Sequence, residues 1–279
     1  MKTVNSLSGG KTSSYIAANY KADYNVFALV RIEHEESKFP DKKIRQQVED
    51  RIQAPFIATA EDDIIIYTML DLEQYIGQKI EWVTGKTFDK VLDTAGTLPD
   101  PLRRYCTTQM KLEPMFKWWQ TNINKPAEFR LGFRANEKAR AKRTLSKTNN
   151  NGLLEIKAIV GKRKTLNKWG IIEWQKPVFP LIEDNIYKDT VEQYWNNKPV
   201  RFAWMNNCVG CFHRNPVLLR QMWNHHPHKM DWFAAQEGRD KGGQWKKEMP
   251  YSVIKNHKSQ FELDLSEWES DCDSGHCGL

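Results

Sequence analysis

The sequence predicts a doubly wound, mostly parallel α/β sheet. Three observations carry that expectation: short apolar runs alternate with helix-length segments, a Gly-Gly turn follows the first run, and no internal repeat competes with the alternation. Residues 2–7 read as the first strand, 8–13 as a tight turn and 14–20 as the start of a helix. A strand is expected over 25–31, a helix over 41–52, an apolar strand around 64–67, a helix over 71–77 and a further strand over 79–83. Asn149-Asn150-Asn151-Gly152 and the basic stretch 157–168 read as a flexible insertion near 145–170. From residue 184 the chain is rich in Trp and His and predicts helices packed on the sheet, with Trp118, Trp119, Trp195, Trp204 and Trp223 as core aromatics. The last residues, 268–279, are small and acidic and read as a mobile tail. The expected organisation is an α/β domain over 1–183, a helical region over 184–267 and the tail.

In such a sheet the ligand crevice lies outside the carboxyl ends of the strands, where Ser8-Gly9-Gly10-Lys11-Thr12-Ser13 falls. Glycines let the backbone approach an anion closely, and the free N–H groups of a helix start face it. A Walker A loop needs an earlier glycine where this chain has Asn5, so ordinary γ-phosphate transfer is disfavoured. Lys11 can reach a phosphate or sulfate as a point charge, while Thr12 and Ser13 can offer hydroxyls. A magnesium ion could accompany the phosphates.

Composition narrows the classes. With 279 residues and 40 % hydrophobic content, the chain can build one large α/β core with a smaller attachment. Its longest apolar runs fall far short of a membrane span, and no charged-then-apolar leader opens it; the expected location is cytoplasmic, without a membrane partner. A net charge of +7 and a pI near 9.0 favour anionic ligands: nucleotides, sulfate esters or nucleic acid. The five cysteines are odd in number and unevenly spaced, which argues against a secreted disulfide framework and for reactive or metal-bound thiols.

Five segments carry a resemblance that spans most of the chain. The Ser8–Ser13 string resembles the pyrophosphate loop of the adenine-nucleotide α-hydrolase (PP-loop) superfamily. Arg103-Arg104-Tyr105-Cys106-Thr107-Thr108-Gln109-Met110-Lys111-Leu112-Glu113-Pro114 is similar to the cysteine-and-lysine segment of phosphoadenylyl- and adenylyl-sulfate reductases. Gly132-Phe133-Arg134-Ala135-Asn136-Glu137 looks like their Gly-x-Arg-x-x-Glu stretch, and Pro180-Leu181 followed by Val191 and Trp195 matches a later segment. Gly275-His276-Cys277-Gly278-Leu279 is close to the tail bearing the reductase nucleophile. Two departures stand out: Tyr105-Cys106 replaces a pair of adjacent cysteines, and His276 replaces a glutamate.

The resemblance implies a Rossmann-like sheet of the adenine-nucleotide α-hydrolase type, with ATP or an adenylyl sulfate as substrate. It implies nucleotide contacts from Ser8, Gly9, Gly10, Lys11, Thr12, Ser13, Gly132 and Arg134, and catalytic roles for Lys111, Arg134 and Cys277. From the residues alone, Arg134, Arg140, Arg104 and Lys111 could neutralise a polyanion, with Arg140 reading more simply as basic surface and Glu137 as a helix partner of Arg134.

Cys208-Val209-Gly210-Cys211 lets two thiolates bend toward one metal. With Cys106, whose family counterpart approaches such a pair, it suggests an iron–sulfur cluster. A zinc site including His213, a metal-free redox dithiol and inert buried cysteines remain open. His225-His226-Pro227-His228 reads as a surface cluster without a metal role. Beside His276, Cys277 has a neighbour that favours its thiolate, opposed by Asp271 and Asp273, with Cys272 as a resolving thiol.

Two functions follow as expectations. One is a reductase in which Cys277 attacks nucleotide-bound sulfate and a thiol reductant such as thioredoxin releases sulfite. The other is ATP-dependent sulfur or adenylyl transfer to nucleic acid, favoured by the basic residues Lys157, Lys162, Arg163, Lys164 and Lys168. A nucleotide sensor without catalysis is a third reading, and association into a homo-oligomer stays open.

Overall fold

The structure, a computed structural model, describes residues 1–164, 166–238 and 243–256, with Arg163 described by its backbone alone. Strand β1 (Thr3–Leu7) leads through residues 8–10 into helix α1 (Lys11–Asn19), followed by β2 (Tyr24–Leu29), β3 (Arg31–Ile32), α2 (Lys42–Ile52) and β4 (Ala58–Thr59). Next come α3 (Ile64–Ile76), β5 (Ile80–Thr84), α4 (Phe88–Ala95) and α5 (Tyr105–Thr107), the last running through a π-turn over Thr108–Leu112 into α6 (Glu113–Asn122). Then follow β6 (Ala127–Arg130), α7 (Lys138–Leu145), β7 (Leu154–Arg163), β8 (Leu166–Val178), α8 (Pro180–Glu183) and α9 (Lys188–Trp195). Helices α10 (Pro216–His225), α11 (Pro227–Ala235) and α12 (Tyr251–Asn256) close the described chain.

Six strands form one sheet in the order β5-β2-β1-β6-β8-β7, parallel except for β7, which pairs antiparallel with β8. A short antiparallel pair of β3 and β4 stands beside it. The expected mostly parallel α/β architecture is present. Its two-sidedness follows from the pleat, because successive residues of a strand face opposite sides. Phe27 and Leu29 join Leu7, Trp82 and the inner faces of α1, α3 and α9, whereas Val26 and Ala28 join Val4, Phe129, Trp119 and Trp174 on the other face. A third core gathers Val30, Ile32, Ala58 and Ala60 with α10, α11 and α12, and it holds Trp223, Trp232 and Trp245.

Three expectations need correction. Residues 64–67 are not a strand: with 71–77 they form the single helix α3. Asp62 Oδ1 accepts from the Ile64 N–H at 2.9 Å, Gly77 ends the helix at φ +61°, and the buried Ile65, Ile66, Met69 and Leu72 form a helical face. The described residues of the expected flexible insertion near 145–170 carry regular structure. Asn149 Oδ1 accepts from the N–H groups of Asn151 (2.9 Å) and Leu153 (3.1 Å), and that turn opens the β7–β8 hairpin. Trp204 is 39 % exposed rather than a core aromatic. The tail over 268–279, with Cys272, His276 and Cys277, lies outside the described residues. Among the described residues no helix is long and apolar enough to cross a membrane.

Candidate functional site

β1 lies between β2 and β6, so the chain builds the sheet to one side of β1 and later to the other. The carboxyl ends of β1 and β6 therefore flank a topological switch point, where open α/β sheets take their ligands. The loop after β1 carries Ser8–Lys11, and the loop after β6 carries Gly132 and Arg134. The two loops meet: a Cβ placed on Gly132 would stand 3.5 Å from the Ser13 nitrogen and 3.5 Å from Thr12 Cγ2. Sequence reasoning placed both stretches at one ligand, and the fold brings them together.

The loop after β1 is built for close approach. Gly9 adopts φ +82°, and a Cβ there would lie 2.4 Å from Ile65 Cγ2; one on Gly10 would lie 2.6 Å from Asn206 Nδ2. Gly10 caps α1 without a side-chain hydrogen bond, which leaves the first-turn N–H groups of α1 uncapped by a side chain. Ser13, expected to offer its hydroxyl to a ligand, is buried, donates to the Gly10 carbonyl at 3.1 Å, lies 3.0 Å from Ser8 Oγ and accepts from the Ser8 N–H, so it braces the loop. Lys11 pairs with Glu192 of α9, and Trp195 Nε1 donates to the Lys11 carbonyl at 3.0 Å. Helix α9 thus packs on the loop after β1.

Arg134 is buried, and Glu137 holds it through the backbone N–H (2.9 Å) and through Nε (3.2 Å). The second Glu137 oxygen accepts from Arg140 Nη1 at 2.6 Å, and the Arg140 guanidinium stacks 4.4 Å from the Phe133 ring centroid. Arg140 is therefore part of a half-buried clamp, not plain basic surface. A carboxylate between two guanidiniums fixes both forks beside the crevice.

Next to the loop lies a cleft lined by Arg104, Cys106, Lys111, Cys208, Cys211 and His213. Two short paths join loop and cleft. Asn206 covers Gly10 and stands two residues before Cys208, a span of at most about 7 Å. Ile65 covers Gly9, and four residues before it Glu61 bridges antiparallel to Cys208 and pairs with Lys111 Nζ at 3.0 Å. Glu61 is 1 % exposed, and its Oε2 has no hydrogen-bond partner among the described residues; the same is true of buried Arg104 Nε. Burial first, and the Glu61 carboxylate second, push the Cys208 thiol well above its ordinary range, while Lys111 pulls it back. Arg214, 2 % exposed, donates to the Cys208 and Asn206 carbonyls and holds the Cys-x-x-Cys turn. Gly210 is required there, since a Cβ would lie 2.2 Å from the Phe233 ring.

The three predicted metal ligands Cys106, Cys208 and Cys211 thus share one wall, with His213 beside them. Among the described residues, however, no three His, Cys, Asp or Glu side chains are grouped so as to hold a metal ion. The described residues as arranged do not fit a metal or cluster, and no chemical step is derived through one.

Several site residues escaped sequence reasoning. Glu61, Asp62 and Asp63 form a partnered acidic run: Lys229 Nζ donates to the Glu61 carbonyl and to Asp63, and His226 Nε2 lies 3.2 Å from Asp62. His226 is therefore a hydrogen-bonding partner of Asp62, not an idle surface histidine. The acidic triplet directly before an apolar run was the available signal. Comparison with family models, curated proteins and solved structures finds no match to this chain.

Proposed function

We propose that this chain is a PP-loop enzyme that binds ATP or an adenylyl sulfate at the Gly9–Lys11 loop and performs sulfur chemistry in the adjoining thiol cleft, in the manner of a phosphoadenylyl-sulfate reductase. The observation that carries the reading is contiguity: a strand–Gly-Gly–helix loop at the sheet's switch point touches, through Asn206 and Ile65, a cleft lined by three cysteines. The α1 N-terminus, Lys11 and the Arg134–Glu137–Arg140 clamp supply positive potential for the phosphates. Lys111, paired with Glu61 in the cleft, is available for the charge of a sulfate or leaving group.

The sulfur step balances without an outside oxidant. A cysteine thiolate attacks the sulfate sulfur, the bond from that sulfur to the phosphate oxygen breaks, and the nucleoside phosphate leaves with the electron pair. A second thiolate then attacks the Sγ of that cysteine, the bond from Sγ to the sulfonate sulfur breaks, and sulfite leaves with the electron pair, so that the two thiols are oxidised to a disulfide and the sulfur is reduced from sulfate to sulfite. By resemblance the nucleophile is Cys277, which lies outside the described residues; Cys106, Cys208 and Cys211 are the thiols at hand in the cleft.

Sulfite release from radiolabelled phosphoadenylyl sulfate, with dithiothreitol as reductant, tests the reading. Wild-type protein should release sulfite, and Cys277→Ser or Cys208→Ser should abolish the release according to which thiol attacks. No release from either adenylyl sulfate, together with pyrophosphate formation from ATP, would transfer the reading to ATP-dependent sulfur or adenylyl transfer. The basic β7–β8 hairpin is the observation that favours a nucleic-acid acceptor in that case.

A further inference from the structure

The β7–β8 hairpin runs past the sheet it belongs to. β8 pairs with β6 only over Gln175–Val178, opposite Ala127–Arg130. Residues 155–163 of β7 and 166–173 of β8 pair with one another beyond the amino end of β6. Ten residues of strand make an arm about 30 Å long. It leaves the sheet at the end opposite the switch-point crevice, because β6 and β8 run toward that crevice.

Its two faces differ. Ile156, Ala158 and Ile172 turn toward the core. On the other face Lys157 stands opposite Ile171 and Ile159 opposite Trp169, with the Lys157 ammonium 5.9 Å from the Trp169 ring centroid. Trp169 is 55 % exposed, Ile171 70 % and Ile159 46 %. An exposed stripe of this kind on a soluble-looking sheet marks an interaction surface. Residues 156–172 hold five basic residues and no acidic one. Lys157, Lys162, Lys164 and Lys168 are all exposed.

We infer that this arm docks single-stranded nucleic acid, with bases stacked on Trp169 over the Ile159–Ile171 floor and phosphates met by Lys157 and Lys162 beside them and by Lys164 at the tip. An aromatic platform within a cationic, acid-free ribbon is the pairing of features that unstructured strands require. A second copy of the chain is disfavoured, since symmetric pairing of two arms sets five positive charges against five. A membrane is disfavoured as well: the cations Lys162 and Lys164 occupy the tip, while the aromatic ring lies midway along the arm. Because the arm and the crevice lie at opposite ends of the sheet, docking and nucleotide binding are separable.

Fluorescence anisotropy of the full chain with a labelled oligouridylate and a labelled oligothymidylate tests the inference. Binding is expected at low salt with quenching of Trp fluorescence. Trp169→Ala should weaken it about tenfold, within the range for losing one stacked base. The double change Lys162→Glu and Lys164→Glu should lower the slope of log K against log salt by about 1.4, from about 0.7 for each single-strand phosphate contact. All three side chains are exposed, so both variants should keep the wild-type circular dichroism and the wild-type affinity for ATP. Absence of binding to both oligonucleotides overturns the inference, as does binding that neither variant alters. Sedimentation with phosphatidylserine vesicles, or self-association, that Trp169→Ala abolishes overturns it in favour of the other occupant. Loss of ATP binding in the wild type with oligonucleotide binding intact counts against the proposed function and leaves the arm's role standing.

Discussion

Lys11 is held by a carboxylate that competes with the anion it is proposed to bind. The Lys11 and Glu192 side chains are 38 % and 42 % exposed, so their pair is a surface ion pair worth at most about 1 kcal/mol. A charge-assisted hydrogen bond to a phosphate is worth about 1.5–3 kcal/mol, so the nucleotide should displace Glu192. Glu192→Gln is therefore expected to tighten ATP binding by about two- to fivefold, the share returned when the competing pair is removed. Calorimetry showing unchanged or weaker affinity would place Glu192 outside this competition. The lysine itself was legible in the sequence, because a strand, two glycines and a helix start surround it. Its partner was not: Glu192 stands 181 residues away, and no local pattern links the two. The same holds for Asn206 over Gly10 and for Glu61 beside Cys208, both products of long-range folding.

Helix α3 joins the loop to the cleft, and three carboxylates fasten it. Asp62, two residues before the helix, is pushed up by burial, but His226, the Ile64 N–H and Lys229 together outweigh this and hold its pKa below the ordinary 3.8. The hydrogen bond from Arg201 lowers Asp71. Burial raises Glu73, yet Arg51 and the Ile80 N–H bring it below 4.5. A carboxylate whose folded pKa is depressed adds stability that is complete above its unfolded value and lost as pH falls through the folded one. The protein should accordingly be at full stability from this source above about pH 5 and lose it progressively below about pH 4. Native-state hydrogen exchange should show the α3 amides losing protection ahead of those of β1 and β2 as the pH drops through that window. Equal loss everywhere would contradict the fastening role. That this segment is a helix was hard to read, because Ile64-Ile65-Ile66-Tyr67 matches a buried strand as well as a buried helix. The hairpin carried a clearer signal: Leu154, Ile156 and Ala158 alternate with Glu155 and Lys157, a period-two pattern overshadowed by the density of lysines beyond it.

At the scale of the whole molecule, the sheet separates two cationic features. The loop after β1 and the cysteine-lined cleft sit at the carboxyl end of the strands, and the basic arm, with five Lys and Arg residues over 156–172, leaves from the amino end. The parallel order of the sheet was legible from β–α alternation, and with it the crevice's location. The third core was not, since it joins β3 and β4 to helices nearly two hundred residues later. Everything proposed for the site depends on the switch-point loop taking nucleotide phosphates. Isothermal titration calorimetry of the full chain with ATP and with adenylyl sulfate, for the wild type and for Lys11→Ala, tests this most directly. The account predicts that the wild type binds at least one of these nucleotides and that Lys11→Ala weakens that binding by about 1–3 kcal/mol, the cost of losing a hydrogen bond to a charged group. Equal affinity of the two proteins for every nucleotide bound, or no binding by the wild type, would contradict it.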